Sequence, residues 1–206
     1  FVGGAQAAYI AGLSGVDENY HRVYALGLRP TQSTRVYTHF ATHGERPQGV
    51  TRTTYGLDLG YNDPTVLVRA DWVGEDVYLE QLYWETGRTT ADVVRDLGSL
   101  GIQGTVFCDH RPEVIEELKR SGLDVRPAHK DILLGIDSLK KRRVSVHQGS
   151  LGLLDEVKRY SYRTLRTGEL SDGVPLDRFN HGLDAARYAV YRTEPAPPGE
   201  FRFFVG

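Results

Sequence analysis

Three aspartates occupy three different settings in this 206-residue chain: Asp58 in Tyr55-Gly-Leu-Asp-Leu-Gly60, Asp109 in Thr105-Val-Phe-Cys-Asp-His110, and Asp184 in Asn180-His-Gly-Leu-Asp-Ala-Ala-Arg-Tyr188. The first two sit at the ends of short apolar runs, and the third falls one turn into a helix-like stretch. Like charges repel and lose hydration when buried, so carboxylates gather where a bound cation compensates them. Carboxylate oxygens suit the hard cations Mg2+ and Mn2+. Two such ions about 3.5 to 4 Å apart activate an attacking water and stabilise the leaving oxygen in phosphodiester hydrolysis. Asp58 is the natural bridge between two ions. Any one strand-end aspartate also reads as a turn cap; the set of three favours the metal reading.

Several neighbours could complete such a site. His181 lies three residues before Asp184 and shares its helix face, where it could orient water or bind metal weakly. A satisfied surface histidine is the competing reading. Asn180 is placed to cap that helix. Asp63 could be an auxiliary ligand, although Asn62-Asp-Pro64 is also an ordinary turn. His110 could touch substrate. Gly56 and Gly60 flank Asp58 with small residues that would let a phosphate or metal approach the backbone. Cys108 reads as core. The basic groups expected at DNA phosphate are Lys130, Lys140, Lys141, Arg142 and Arg143, with Lys158, Arg159 and Arg163 behind them; a solvated face is the alternative. No base-reading motif is present, so low sequence selectivity is expected. No G-x-x-x-x-G-K-[ST] loop occurs, so this stretch should not hydrolyse ATP.

The elements that must position these residues begin at Thr54. Strand-like runs cover Thr54 to Leu59, Thr65 to Ala70 and Val77 to Trp84, joined by turns short enough for antiparallel hairpins. A helix is expected over Thr90 to Leu100, a buried strand over Gly104 to Cys108, and a helix over Pro112 to Arg120 with proline in its first turn. Then follow a strand at Leu123 to Arg126, a helix near Ile132 to Lys141, a strand at Val144 to His147, and a helix from Leu151 to Tyr160. A hairpin around Tyr160 to Pro175 precedes a last helix from His181 to about Tyr191. Three antiparallel strands followed by alternating helices and strands is the order of an α/β, RNase H-like fold with a mixed sheet. Its first strand is central and neighbours the strand after the first helix, which would set Asp58 beside Asp109.

Residues 1–50 look different. Ala5 to Leu13 and Glu18 to Leu26 have helix-compatible spacing anchored by Tyr9, Tyr20 and Tyr24, ended by Gly27 and Pro30. The polar stretch Thr38 to Thr51 reads as a linker. The chain lacks methionine and opens on Phe1, so it reads as a piece of something longer, with 1–50 a connector from a missing domain, 51–194 the main domain and 195–206 a tail. Pro195 to Gly199 reads as a spacer and Phe201 to Val205 as a docking segment.

The net charge of −2 argues against a general nucleic-acid sponge. It averages an acidic stretch, net −6 over 51–110, with a basic one, net +4 over 111–192. Cations could sit in the first and phosphates in the second. One cysteine excludes an internal disulfide framework, and no apolar run approaches the roughly 18 residues of a membrane span. The expectation is a soluble cytoplasmic protein.

Four stretches resemble the C-terminal nuclease domain of tailed-bacteriophage terminase large subunits. They are Tyr55 through Asp63-Pro-Thr65; Phe107-Cys-Asp-His110 with Pro112-Glu-Val-Ile-Glu-Glu-Leu118; Lys130 with Gly135-Ile-Asp-Ser-Leu-Lys140; and His181-Gly-Leu-Asp-Ala-Ala-Arg-Tyr188. The resemblance spans about residues 51–192, and Tyr20 to Gly27 is similar to the segment leaving the family's ATPase domain. It implies Asp58, Asp109 and Asp184 as the metal-binding triad with His181 nearby. It further implies an endonuclease that cuts concatemeric viral DNA in the host cytoplasm, with the ATPase domain, the small terminase subunit and the portal protein as partners. Asn180 stands where many relatives have aspartate, and His110 where a smaller residue is usual. Two other classes compete: a non-catalytic DNA-binding module on the same fold, and an actin, Hsp70 or sugar-kinase type phosphotransferase, which needs a second phosphate loop absent here.

Overall fold

The computed structural model describes residues 34–164 and 170–191. The helices expected over Ala5 to Leu13 and Glu18 to Leu26, the hairpin tip and the tail after Glu194 lie outside those residues.

Seven strands form one mixed sheet: β1 (Ala41–His43), β2 (Arg52–Asp58), β3 (Thr65–Val73), β4 (Asp76–Glu85), β5 (Thr105–Cys108), β6 (Val125–Pro127) and β7 (Val144–His147). Their order is β1-β7-β4-β3-β2-β5-β6. β2, β3 and β4 pair antiparallel, whereas β5 joins β2 and β6 joins β5 in parallel. This is the expected α/β arrangement. The helices are α1 (Thr90–Gly98), α2 (Pro112–Arg120), α3 (Ile132–Lys140), α4 (Leu151–Arg159) and α5 (His181–Val190). A separate hairpin, β8 (Tyr162–Thr164) and β9 (Leu170–Pro175), precedes α5.

The sheet is buried on both faces. Tyr55, Leu57, Leu67, Val106 and Cys108 pack with Val93 and Leu97 of α1 and Val114, Ile115 and Leu118 of α2. On the other face Val66, Val68, Ala70 and Trp72 of β3 pack with α3, α4 and α5 through Ile136, Leu139, Leu153, Leu183 and Ala185. Local chemistry fixes the helix starts. Thr89 and Asp92 form a reciprocal capping box on α1, and Asp131 caps α3 through the Leu134 N–H.

The linker reading of Thr38 to Thr51 is corrected. Ala41–His43 is an edge strand parallel to β7, and Val36 and Tyr37 are fully buried in the core. A three-residue edge strand leaves one side open and needs no apolar alternation, so its polar sequence resembles a linker. Among the described residues no helix is long and apolar enough to cross a membrane.

Candidate active site

β2 and β5 run parallel with Leu57 opposite Cys108, and the Asp109 N–H donates to Leu57 O at 2.9 Å. Asp58 and Asp109 therefore leave neighbouring strands side by side, at a strand spacing of about 4.8 Å.

α5 brings the third carboxylate by lying against β2. Thr54, Gly56 and Asp58 point to the same side of the strand because side chains alternate. Each meets α5 one turn further toward its start. Thr54 Oγ1 donates to Ala189 O at 2.6 Å, a Cβ on Gly56 would stand 1.8 Å from Ala185 O, and Asp58 Oδ2 lies 3.1 Å from His181 Nδ1. Four helical residues rise about 6 Å and two strand residues about 6.6 Å, so the periods match. Gly56 is thus small to admit a helix, which corrects its reading as a phosphate approach. Gly60 is small because Asp63 O would lie 2.4 Å from its Cβ. Thr65 closes that turn, its hydroxyl donating to Gly60 O at 2.7 Å.

Each of the three carboxylates faces a different basic side chain. Asp58, only 8% exposed, meets His181; Asp109 pairs with Lys130; Asp184 pairs with Arg187, which is 2% exposed. The hydrogen bond to Asp58 raises the His181 pKa above its ordinary value, against the opposing effect of burial. Burial pushes Asp184 up to about 6 while Arg187 pulls it down. Among the described residues no three His, Cys, Asp or Glu side chains form a ready-made cation cluster. The donor set nonetheless fits Mg2+ or Mn2+: all three are hard oxygen donors lining one cavity of about 1120 Å3, where their negative charge already attracts cationic side chains.

His181 Nε2 also lies 3.7 Å from Asp63 Oδ1, so Asp63, with its side chain 74% exposed, borders the site through the imidazole. His110 is exposed; its backbone N–H donates to Asp109 Oδ1 at 2.6 Å, and its ring does not line the cavity. Lys130 lies in the cavity. Lys140, Lys141, Arg142 and Arg143 do not line it. Arg143 O accepts the Val77 N–H at 2.9 Å and Arg142 lies over the Trp72 ring, level with Arg52 at the start of β2. Six strand residues, about 20 Å, separate that end of the sheet from Asp58. Cys108 is fully buried, and burial pushes its thiol up to about 12, as befits core.

Two residues of the site lay outside the sequence reading. Arg187 stands within the His181 to Tyr188 motif, and its spacing from Asp184, three residues along a helix, was the available signal. Glu156 of α4 is 4% exposed and accepts the N–H groups of His181, Gly182 and Leu183 at 3.0, 2.8 and 3.1 Å. It occupies the capping role expected of Asn180, whose side chain makes no cap bond and instead lies 3.4 Å from Asp184 Oδ2. Burial pushes Glu156 up to about 7 despite the three N–H donors. No sequence signal marked it.

No protein-family model matches the chain, and a search of curated proteins finds no match. Solved structures do. A large terminase from a thermophilic bacteriophage matches with a TM-score of 0.74 at 20% identity, covering 91% of this chain and 52% of that one. The chain thus spans about half the length of that terminase. The g2p large-terminase nuclease domain of bacteriophage SPP1, solved with bound Mn, gives a TM-score of 0.60 at 19% identity, covering 76% and 97% of the two chains. The large-terminase nuclease of the thermophilic phage G20c, solved with bound magnesium, gives 0.54 at 18%, covering 78% and 97%. Likeness at such identities establishes architecture, and with the sheet order above it assigns this chain the RNase H-like fold of phage large-terminase nuclease domains.

Proposed function

We propose that this chain is the nuclease part of a viral terminase large subunit, a divalent-metal-dependent endonuclease that cuts double-stranded DNA with low sequence specificity. The observation that carries this reading is the convergence of Asp58, Asp109 and Asp184 from two adjacent strands and one helix into a single cavity. Asp58, Asp109 and Asp184 would hold two ions, Mg2+ or Mn2+, which when bound supply an activated water and stabilise the leaving oxygen. Asp58, flanked by the strand of Asp109 and the helix of Asp184, would be the carboxylate shared between the ions. His181 presents Nδ1 to Asp58 and leaves Nε2 toward the open side near Asp63, where it can hold or accept a proton from water. Lys130, which lines the cavity beside Asp109, would meet substrate phosphate. In the wider reading the cut serves packaging of concatemeric genomes in the host cytoplasm. The ATPase domain of the same subunit, the small terminase subunit and the portal protein would be its partners.

The test is cleavage of supercoiled plasmid. With Mn2+ or Mg2+ the chain should yield nicked and linear DNA, and EDTA or Asp58→Ala, Asp109→Ala or Asp184→Ala should abolish this. Inactivity with both ions at millimolar concentration would favour a non-catalytic DNA-binding module.

A further inference from the structure

Phe179 is the one non-glycine residue among those described with a positive φ, at 56°. A bulky side chain rarely adopts that conformation, and such strain persists where something else is gained. Its ring is 39% exposed at the rim of the carboxylate cavity. Two guanidiniums from different parts of the chain converge on it. Arg159, at the end of α4, lies 4.8 Å from the ring centroid, and Arg178, in the segment entering α5, lies 5.7 Å away. All three residues line the same cavity as Asp58, Asp109 and Asp184.

We propose that Phe179 is a pedestal holding Arg159 and Arg178 as a two-pronged clamp for the phosphodiester backbone of DNA beside the carboxylate centre. Cation–π contact fixes each guanidinium's position while leaving its N–H groups free to donate. Guanidiniums donate to phosphate in a bidentate, geometrically selective way. Their acidic neighbours along the rim include Asp155, 3.2 Å from Arg159 Nε, and Asp177. The Asp155 pair is half exposed on both sides, so a phosphate can displace it at little cost. The positive φ and the ring seated between the two arginines thus fall on the same residue. The clamp rests on the reading of the substrate as DNA, and it locates the phosphate contacts that the Lys140 to Arg143 run, at the far end of the sheet, cannot make at this cavity.

The experiment measures binding of the 206-residue chain to a short DNA duplex by fluorescence anisotropy, in EDTA, across a salt series, alongside plasmid cleavage with Mn2+. Each phosphate contact contributes about 0.9 to the slope of log affinity against log salt. Arg159→Ala and Arg178→Ala should each reduce the slope by about that amount, and Lys119→Ala, at the end of α2 on the sheet face opposite α4 and α5, should leave it at the wild-type value. Phe179→Gly, which relieves the strained φ, should melt no lower than wild type yet bind DNA several-fold more weakly. Unchanged slopes in both arginine variants, or wild-type affinity in Phe179→Gly, would overturn the clamp. A wild-type chain that binds but does not cut would sink the nuclease reading while the slopes still decide the clamp; a wild-type chain that cuts while the variants behave as wild type sinks the clamp alone.

Discussion

Glu156 Oε2 accepts the Gly182 N–H at 2.8 Å, tying α4 to the first turn of the helix that carries His181 and Asp184. Three otherwise orphaned helix N–H groups end on this one carboxylate. Glu156→Ala leaves them buried without acceptors, at about 1–3 kcal/mol for an unsatisfied group. The variant should melt several degrees lower and cut DNA more slowly at saturating substrate, with little change in DNA affinity. Thermal denaturation and kinetics together check this. A variant with wild-type melting temperature and turnover would show that another group caps α5.

Arg187 and Asp184 form an ion pair with the arginine almost wholly inside the protein. Removing one partner of such a pair strands the other charge, at about 3–5 kcal/mol. Arg187→Ala should therefore be strongly destabilised in denaturant titrations, and Arg187→Ala with Asp184→Asn should recover part of the loss. Additive losses in the double variant would contradict the pairing.

Gly56 carries the contact that sets Asp58 against His181. A methyl group there would overlap the Ala185 carbonyl, so Gly56→Ala must lift α5 from β2. Overpacking costs about 1–3 kcal/mol. Cleavage should fall further than stability does, because the shift separates carboxylates on two elements. Cleavage at the wild-type rate with a folded Gly56→Ala protein would refute that geometry.

Much of this arrangement is readable from residue patterns, and the exceptions share a physical cause. Asp58 and Asp109 end apolar runs long enough to be strands, and the antiparallel trio followed by a crossover puts those two strands together. Glu156 is different: its partners lie 25 to 27 residues away, and a glutamate inside an amphipathic helix looks like surface until the helices are packed. Lys140 to Arg143 carry charge but no direction, and the crossover into β7 sends them to the far end of the sheet. β1 is an edge strand whose pairing partner lies about a hundred residues on, so nothing local distinguishes Ala41–His43 from a linker.

Glu156 also predicts how stability varies with pH. Its folded pKa of about 7 lies above the ordinary 4.5, so the native state holds this proton more tightly than the unfolded chain. The sign follows from linkage: the contribution is fully present below about pH 4.5 and is lost as pH rises through about 7. A shift of that size corresponds to something on the order of 3 kcal/mol. In EDTA the wild-type chain should therefore lose stability between about pH 4.5 and 7.5. Glu156→Gln, which cannot titrate and keeps one acceptor oxygen toward α5, should show a flatter profile whatever its absolute stability. Denaturant titrations of both proteins across that range measure the difference in slope directly. Parallel profiles would mean that the three N–H donors keep Glu156 ionised throughout, and that its carboxylate caps α5 as a fixed charge.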